Sequence, residues 1–318
     1  MKIISKILSQ PEITSRPPVF VDIGASGAIH NEWKSIAPYA ICIAFDADER
    51  EFAFAEKKGS GYKKLYVFNS AVSDTDNTET DFYLTESPYC SSLLQPDNEK
   101  LTPWFFADKF LVSKKVSVKN IALRSALEKA GVDYVDWFKS DSQGTDLRLF
   151  QNLGDDIINE VLIAEFEPGL IDSYKGEDKL YKVLECMQGK DFFLSSITVK
   201  GSRRISPGNA NKIFPSSFLS KLAVFSLPVS PGWGEMEFLK AFNGTASRRS
   251  LMLGFAFAML RKQHGHALHI AQTALQQFNE PLFQEMEQAA RCAIRRGIFS
   301  LRFLPVIREK LSKLVSGV

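Results

Sequence analysis

The chain has 318 residues, of which 45% are hydrophobic and 24% are charged. These fractions are ordinary for a globular protein with a sizeable core, and they argue against a disordered or fibrous chain. The formal net charge of +2 indicates no particular class of partner by itself. The apolar stretches before residue 11 and over residues 251–260 are too short for a signal peptide or a membrane-spanning helix, so no transmembrane segment is predicted.

Charge is distributed unevenly along the chain. From residue 201 onward there are 16 Lys and Arg residues against 6 Asp and Glu, whereas the first 200 residues carry 23 basic and 31 acidic residues. The sequence therefore predicts an acidic domain followed by a basic segment. The four cysteines are far apart and have no metal-site or redox-motif spacing, which favours reduced thiols in a cytoplasmic protein.

Strands and helices are predicted to alternate up to about residue 200, after a lead-in helix over residues 1–18. Apolar runs predict strands at 19–23, 41–45, 65–68, 134–139, 160–165 and 192–197. Helical periodicity predicts helices at 49–58, 121–130, 145–153 and 178–187. The alternation predicts an α/β fold with a doubly wound, mainly parallel sheet over residues 19–200.

The remainder of the chain has a different character. Residues 201–234 are rich in Ser, Pro, Asn and Gly and are expected to form a linker or an excursion. Helical periodicity dominates residues 235–318, which predicts a basic helical appendage. Its last part, 298–318, mixes apolar and basic residues, as is typical of a helix at a membrane interface or in a partner groove. The paired basic residues of this half are interpreted either as a solvated face or as a surface for an anionic membrane or an acidic partner.

Small and acidic residues follow the first two predicted strands. Gly24 and Gly27 allow the backbone to approach a ligand closely. Asp46 comes after the second strand, at the distance expected for a carboxylate that accepts hydrogen bonds from two ribose hydroxyls. The pattern predicts a nucleoside site at the carboxyl ends of the strands. The structural alternative is that the glycines form only a tight turn and that Asp46 caps the next helix.

Phosphate-binding motifs are absent from the sequence. It contains no G-x-x-x-x-G-K-[ST] and no full G-x-G-x-x-G in a dinucleotide context. S-adenosylmethionine carries no phosphate, and an acid-rich, lysine-poor site suits its sulfonium cation, with Asp22 near the methionine end. The expected cofactor is therefore S-adenosylmethionine.

Six short segments form an ordered set between about residues 18 and 200. They are Phe20-Val21-Asp22-Ile23-Gly24-Ala25, Ala44-Phe45-Asp46-Ala47-Asp48, Asn69-Ser70-Ala71-Val72-Ser73-Asp74, Ser91-Ser92-Leu93, Phe138-Lys139-Ser140-Asp141-Ser142-Gln143-Gly144 and Ile163-Ala164-Glu165-Phe166. In this order and spacing, the chain resembles the FkbM-type family of S-adenosylmethionine-dependent methyltransferases. The turn after the fourth strand, combined with Ala-Val-Ser-Asp, is the most specific part of the resemblance.

The resemblance implies a class I methyltransferase fold and O-methylation of a sugar, a glycan or a similar hydroxylated metabolite. It also implies the cofactor contacts along the chain. These are Asp22, Gly24, Ala25, Ser26 and Gly27 at the methionine moiety, Asp46 and Ala47 at the ribose, and Ala71 and Val72 at the adenine. The sequence departs from the family pattern at Ala28, where a second glycine is usual, at Asp46, where glutamate is commoner, and at Gln143, where an acid is usual.

Methyl transfer to a hydroxyl depends on positioning and benefits from a general base. The candidate bases are Asp141, His30 and Glu165, with Asp141 preferred because it belongs to the turn after the fourth strand. The alternative role of Asp141 is to cap the helix that begins near Thr145. A divalent ion shared by Asp141 and Glu165 would need a third ligand that the sequence does not reveal, so no metal site is predicted.

The predicted function is S-adenosylmethionine-dependent O-methyl transfer to a saccharide or similar acceptor in the cytoplasm. Attachment to the inner face of the membrane through the basic tail remains an open alternative. A second hypothesis is a non-catalytic scaffold that keeps the methyltransferase fold and uses the basic tail as its interface. It is motivated by Gln143, and by Gly27, which lies one residue before the glycine position that Ala28 occupies in this chain. Nucleic acid is not an expected partner, because no recognition motif is present.

Overall fold

A computed structural model of the chain describes residues 2–25, 32–48, 61–76 and 79–297. The chain forms two compact units. The larger unit is Pro17–Ala241, and the smaller unit combines Met1–Arg16 with Phe242–Val318. The predicted helix at residues 49–58 and the segment 298–318 lie outside the described residues.

The larger unit contains the described strands of the chain. They are β1 Val19–Ile23, β2 Ile41–Phe45, β3 Lys64–Phe68, β4 Ala71–Ser73, β5 Glu79–Thr85, β6 Val112–Ala122, β7 Trp137–Ser140, β8 Ile163–Phe166, β9 Phe192–Ser202 and β10 Ser230–Lys240. Within the described residues, seven of these strands form one sheet in the order β3-β2-β1-β7-β8-β10-β9. The pairs from β3 through β8 are parallel, and β10 runs antiparallel to both of its neighbours.

Helices occupy both units. They are α1 Lys2–Leu8, α2 Pro11–Ser15, α3 Asn98–Leu101, α4 Leu123–Ala130, α5 Asp146–Gln151, α6 Gly154–Ile158, α7 Leu180–Gln188, α8 Pro207–Ala210, α9 Ser217–Ser226, α10 Arg248–Leu260, α11 His264–Phe278 and α12 Pro281–Gly297. Short 3₁₀ turns lie at Ala37–Tyr39, Pro88–Cys90 and Ala107–Phe110. The larger unit is thus an α/β structure with a mostly parallel sheet, compatible with a Rossmann-like fold.

The end of the sheet differs from the expected domain boundaries. Residues 201–234, expected to be a linker or excursion, include the end of β9 and the first half of β10. The helical appendage expected from residue 235 instead begins with β10, and its first helix starts at Arg248. The physical reason is long-range pairing, since β10 inserts between β8 and β9 and forms ladders with both.

A smaller sheet extends beyond β3. It contains β4, β6 and β5 in that order, with β4 parallel and β5 antiparallel to β6. The loop-rich segment between β5 and β6 packs around a small apolar cluster of Cys90, Leu101, Phe110 and Tyr174. These elements stand beside the carboxyl ends of the parallel strands and supply part of the site described below.

Four helices cover one face of the large sheet. Side chains of α4, α5, α6 and α7 join those of β1, β2, β7, β8 and β10 in one buried cluster. Phe150 lies at its centre, with ring centroids 5.2 Å from both Phe138 and Phe166. On the opposite face, Phe20, Trp33 and Trp137 form a second buried aromatic group. Burial on both faces explains why β1 reads as a nearly continuous apolar run.

The smaller unit is held by packed helices and ion pairs. Lys6 of α1 pairs with Glu285 of α12 at 2.7 Å. Arg248, at the start of α10, contacts Glu12 at 2.5 Å and Glu280 at 2.8 Å. None of the helices in the described ranges combines the length and apolar character needed to cross a bilayer.

Replacing Phe150 by alanine tests the central position of this ring. We expect the free energy of unfolding to fall by about 3–5 kcal/mol, because the variant leaves a cavity among buried aromatic side chains. Urea unfolding followed by circular dichroism measures the change. Tyr181→Ala on the exposed face of α7 is the matched control, expected within about 0.5 kcal/mol of wild type. Equal stability of the two variants would contradict the assignment.

Candidate functional site

The candidate site lies where the strand order reverses. Strand β1 pairs with β2 on one side and with β7 on the other, so the chain connections leave the carboxyl ends in opposite directions at this point of the sheet. A first cavity opens there, walled by the ends of β1, β2 and β7, by β4, and by the segment around Phe82 and Ser91. The residues that line it include Gly24, Asp46, Ala47, Ser70, Ala71, Val72, Phe82, Ser91, Leu93, Asp141, Ser142 and Thr145.

Gly24 brings two of these strand ends into contact. Its φ is +79°, in the left-handed region, and a Cβ atom built on it would lie 2.3 Å from the Asp141 carbonyl oxygen. The N–H of Asp141 donates to the Ile23 carbonyl at 3.0 Å, and that of Gly24 donates to the Phe45 carbonyl at 3.0 Å. A glycine is required here because any side chain would push apart the turns after β1 and β7.

The predicted ribose and adenine residues line the first cavity together. Asp46 lies on one wall with Ala47, and Ala71 and Val72 form an apolar surface. The carboxylate of Asp46 accepts the N–H of Asp48 at 2.8 Å. Burial raises the pKa of Asp46 from 3.8 to about 6, and the hydrogen bond from Asp48 partly offsets that rise. None of the described residues that line this cavity is basic.

Some predicted cofactor residues do not line the cavity. Asp22 and Ala25 are buried, and the Asp22 carboxylate forms an ion pair with Lys139 at 3.4 Å. The expectation that Asp22 meets the sulfonium through its carboxylate is therefore not supported by its contacts. Ser26, Gly27 and the candidate base His30 lie outside the described residues.

Asp22 belongs to a row of charged residues across three strands. Asp22 on β1 is in register with Lys139 on β7, which is in register with Glu165 on β8. Burial lowers the pKa of Lys139, but the negative charges around it, Asp22 foremost, outweigh that effect and raise the pKa above its usual value. Lys139 is therefore a charged partner that holds the strand ends.

Glu165 was expected to be a candidate base, but it does not line either of the two cavities. Its carboxylate accepts the indole N–H of Trp137 at 2.5 Å, and it is not among the described residues that line the cavities. The reason is position along the strand. Glu165 lies inside β8, whereas Glu167, two residues on and on the same side, lies just beyond the strand end.

Asp141 lines the first cavity and also a second one. Its carboxylate accepts the side-chain N–H of Gln143 at 2.5 Å, and Gln143 accepts the hydroxyl of Tyr174 at 3.0 Å. Burial raises the pKa of Asp141 from 3.8 to about 6, opposed by the positive charge of Lys139. The capping alternative is not observed, because α5 has no side-chain cap and the Thr145 N–H donates to the Ser142 hydroxyl at 3.1 Å.

The second cavity has a volume of about 290 Å³ and adjoins the turn at Asp141. Aromatic rings and carboxylates share its walls. The aromatic lining residues are Tyr89, Phe106, Phe110, Tyr174 and Trp233, and the acidic ones are Asp141, Glu167, Glu177 and Glu235. The side chain of Glu177 is already bound by the Ser173 N–H at 2.7 Å and by Lys179 at 2.6 Å.

Sequence reasoning missed Glu167 and most of the aromatic wall. Among the described residues, the Glu167 carboxyl has no hydrogen-bond partner and faces the second cavity. Burial raises its pKa from 4.5 to about 8, with Asp141 as the next contribution. An acid directly after the fifth strand follows the rule that identified Asp46 and Asp141, so the signal was present. The aromatic residues come from segments far apart in the sequence, and no sequence pattern indicated that they lie together.

Metal ligands and basic pairs also have assigned places. No group of three or more His, Cys, Asp or Glu residues in the described ranges could hold a metal ion.

Arg248 is engaged in ion pairs, and Arg249 donates to the Arg16 carbonyl at 3.0 Å. This basic pair, considered as a partner surface, instead holds the smaller unit together. The four cysteines are free thiols.

Comparisons of the chain with protein-family models, with curated proteins and with solved structures find no match. The assignment of function therefore depends on the chemistry of the two cavities.

Substitution of Glu167 by glutamine tests its raised pKa through the pH dependence of stability. In the folded chain, Glu167 keeps its proton up to about pH 8, whereas the unfolded chain releases it near pH 4.5. Its stabilising contribution is therefore complete below pH 4.5 and is lost as the pH rises through 8. Glutamine has no proton to lose, so Glu167→Gln should be more stable than wild type by up to about 5 kcal/mol at about pH 9 and nearly equal at about pH 5.

The measurement is urea unfolding of both proteins across this pH range. Glu128→Gln, on the exposed side of α4, is the control for removing one carboxyl group. A difference between Glu167→Gln and wild type that does not change with pH would show that the Glu167 pKa is not raised.

Proposed function

We propose that the chain is an S-adenosylmethionine-dependent methyltransferase that methylates a hydroxyl group of a sugar or a similar polyhydroxylated acceptor. The observation that carries the proposal is the position of Asp141 at the junction of two cavities. One has the features of a nucleoside site without phosphate contacts, and the other those of a site for a ring-shaped polar acceptor. A transfer reaction needs two such sites with a proton acceptor between them.

The first cavity fits the cofactor by its chemistry. Asp46 provides a carboxylate for ribose hydroxyls, and Ala71, Val72, Phe82 and Leu93 provide an apolar surface for a purine. The lack of a basic residue in its described lining suits a cationic ligand better than a pyrophosphate. Gly24 and the turn at Asp141 leave backbone rather than side chains at the strand ends.

The sheet supports the same class of enzyme. The strand order begins as in dinucleotide-binding sheets, but an antiparallel β10 is inserted before the last strand. This insertion agrees with the class I methyltransferase fold implied by the sequence resemblance. It also brings Trp233 and Glu235 of β10 to the wall of the second cavity.

The second cavity suits an uncharged ring with several hydroxyl groups. The Phe106 and Trp233 rings in the lining offer apolar contact to the C–H side of a sugar ring, and carboxylates accept hydrogen bonds from its hydroxyls. The excess of acidic residues over the single described lysine of the lining, Lys109, disfavours an anionic acceptor.

The chain's own groups prepare the acceptor for transfer. S-adenosylmethionine supplies the methyl group, activated on a sulfonium. Asp141 takes the proton of the attacking hydroxyl. Its pKa of about 6 leaves it ionised at neutral pH and basic enough to accept that proton. Gln143 orients the Asp141 carboxylate. Glu167, with a pKa of about 8, keeps its proton near neutral pH and donates it in a hydrogen bond to a neighbouring acceptor oxygen.

The cofactor site is tested by calorimetry with S-adenosylhomocysteine. Wild type should bind it, and Asp46→Ala should weaken binding by about 10- to 100-fold, because hydrogen bonds to a charged acceptor contribute about 1.5–3 kcal/mol. The titration is made at about pH 8, above the pKa of Asp46 near 6. Asp133→Ala, an exposed acid after α4, is the matched control and should bind as wild type. A folded wild-type protein that does not bind the ligand would favour the scaffold hypothesis instead.

Substitution of Asp141 by asparagine separates binding from transfer. We expect Asp141→Asn to retain S-adenosylhomocysteine binding within a few-fold, because Asp46 and the apolar wall are unchanged. Transfer of a labelled methyl group to sugar acceptors should fall by about 10²–10⁴-fold, the usual contribution of a general base. Unchanged transfer in this variant would exclude Asp141 as the base.

A further inference from the structure

An apolar excursion connects β9 to β10. We define it as residues 203–229, which include α8 and α9. Most of its large hydrophobic side chains are exposed rather than buried. Those exposed are Ile213, Phe214, Phe218, Leu219, Leu222, Phe225, Leu227 and Val229. Such a concentration on one short segment is unusual for protein surface and marks an interaction site.

Helix α9 has the reverse of the usual amphipathic arrangement. Phe218, Leu222 and Phe225 follow helical spacing on one face, and 71%, 58% and 57% of their surfaces are exposed. The buried positions of the helix are Ser220 and Val224. The Ser220 hydroxyl is used internally, since it accepts the Phe214 N–H at 3.0 Å. The apolar face of α9 is therefore directed outward.

The charges beside this face have one sign. Residues 201–234 contain Arg203, Arg204, Lys212 and Lys221 and no acidic residue. Lys212 and Lys221 are exposed, and neither forms an ion pair with the described residues. A second copy of the chain would bring like charges together across a two-fold interface, whereas an anionic lipid surface complements them.

We infer that the apolar excursion binds an anionic lipid bilayer surface. The outward face of α9 enters the headgroup region, and Lys212 and Lys221 contact lipid phosphates. Ten residues are too few to span a membrane, but a short helix with apolar and basic side chains suits the interface. This inference concerns binding only and does not depend on methyl transfer.

The base of the excursion is attached to the wall of the second cavity. The Phe105 N–H donates to the Arg203 carbonyl at 3.0 Å, and the Arg203 guanidinium donates to the Phe225 carbonyl at 3.2 Å. The next residue along the wall, Phe106, packs edge-on against Trp233 with centroids 6.3 Å apart. Docking of α9 on lipid would therefore hold the second cavity close to the membrane surface.

The test is flotation of the full chain with vesicles. Wild type should float with vesicles of equal phosphatidylcholine and phosphatidylglycerol and much less with phosphatidylcholine alone. Phe218→Ser with Leu222→Ser should lose most of this binding. Lys212→Gln with Lys221→Gln should weaken it by roughly 25-fold, about fivefold for each lysine. The exposed pair on α7, changed as Tyr181→Ser with Leu184→Ser, is the matched control and should bind as wild type.

Three results would overturn the inference. In the first, the wild-type protein does not bind the anionic vesicles. In the second, the Phe218→Ser, Leu222→Ser double variant binds them as strongly as the wild-type protein does. In the third, the wild-type protein binds equally with and without anionic lipid. Sedimentation equilibrium accompanies the flotation. If the double variant loses self-association but not vesicle binding, the surface binds a second copy instead. Circular dichroism confirms that each variant is folded, which is expected because the altered side chains are exposed.

Discussion

The site depends on one largely buried ammonium group. Lys139 lies on a central strand of the sheet, and the carboxylates of Asp22, Asp141, Glu165 and Glu167 act on it together. Buried carboxylates without a positive partner would be strongly destabilising, so Lys139 makes an acidic strand edge possible at all. The side chains of Asp22, Lys139 and Glu165 bind partners within the sheet and hold the strands together. The next positions along the same side, Gly24, Asp141 and Glu167, lie beyond the strand ends and face the cavities.

This arrangement divides acidic residues between structure and chemistry. Asp22 and Glu165 have partners within the sheet, whereas Asp46, Asp141 and Glu167 are less completely compensated, and burial raises their pKa values. Raised pKa values at a cavity are common where proton transfer takes place. Within this proposal, the two cavities share Asp141 because Gly24 lets the turns after β1 and β7 approach closely.

The second cavity and the apolar excursion share one structural origin. Both depend on the insertion of β10, which returns from the excursion into the middle of the sheet and places Trp233 and Glu235 beside the turn at Asp141. The contacts of Arg203 with Phe105 and Phe225 join the excursion to the cavity wall. An acceptor carried at a lipid surface would meet both features at once, so the two proposals are compatible although each is tested separately.

The sequence by itself determined the features that depend on neighbouring residues. The apolar runs located β1, β2 and β7, and the small or acidic residues after them located Gly24, Asp46 and Asp141, because the end of a buried strand is a local property. Tertiary structure alone decided the rest. Strand β10 was hidden because its ladders join residues far apart in sequence, and only the extent of β8 separates Glu165, inside the strand, from Glu167, just beyond its end. The aromatic wall was equally hidden, since its rings come from segments that no sequence period connects.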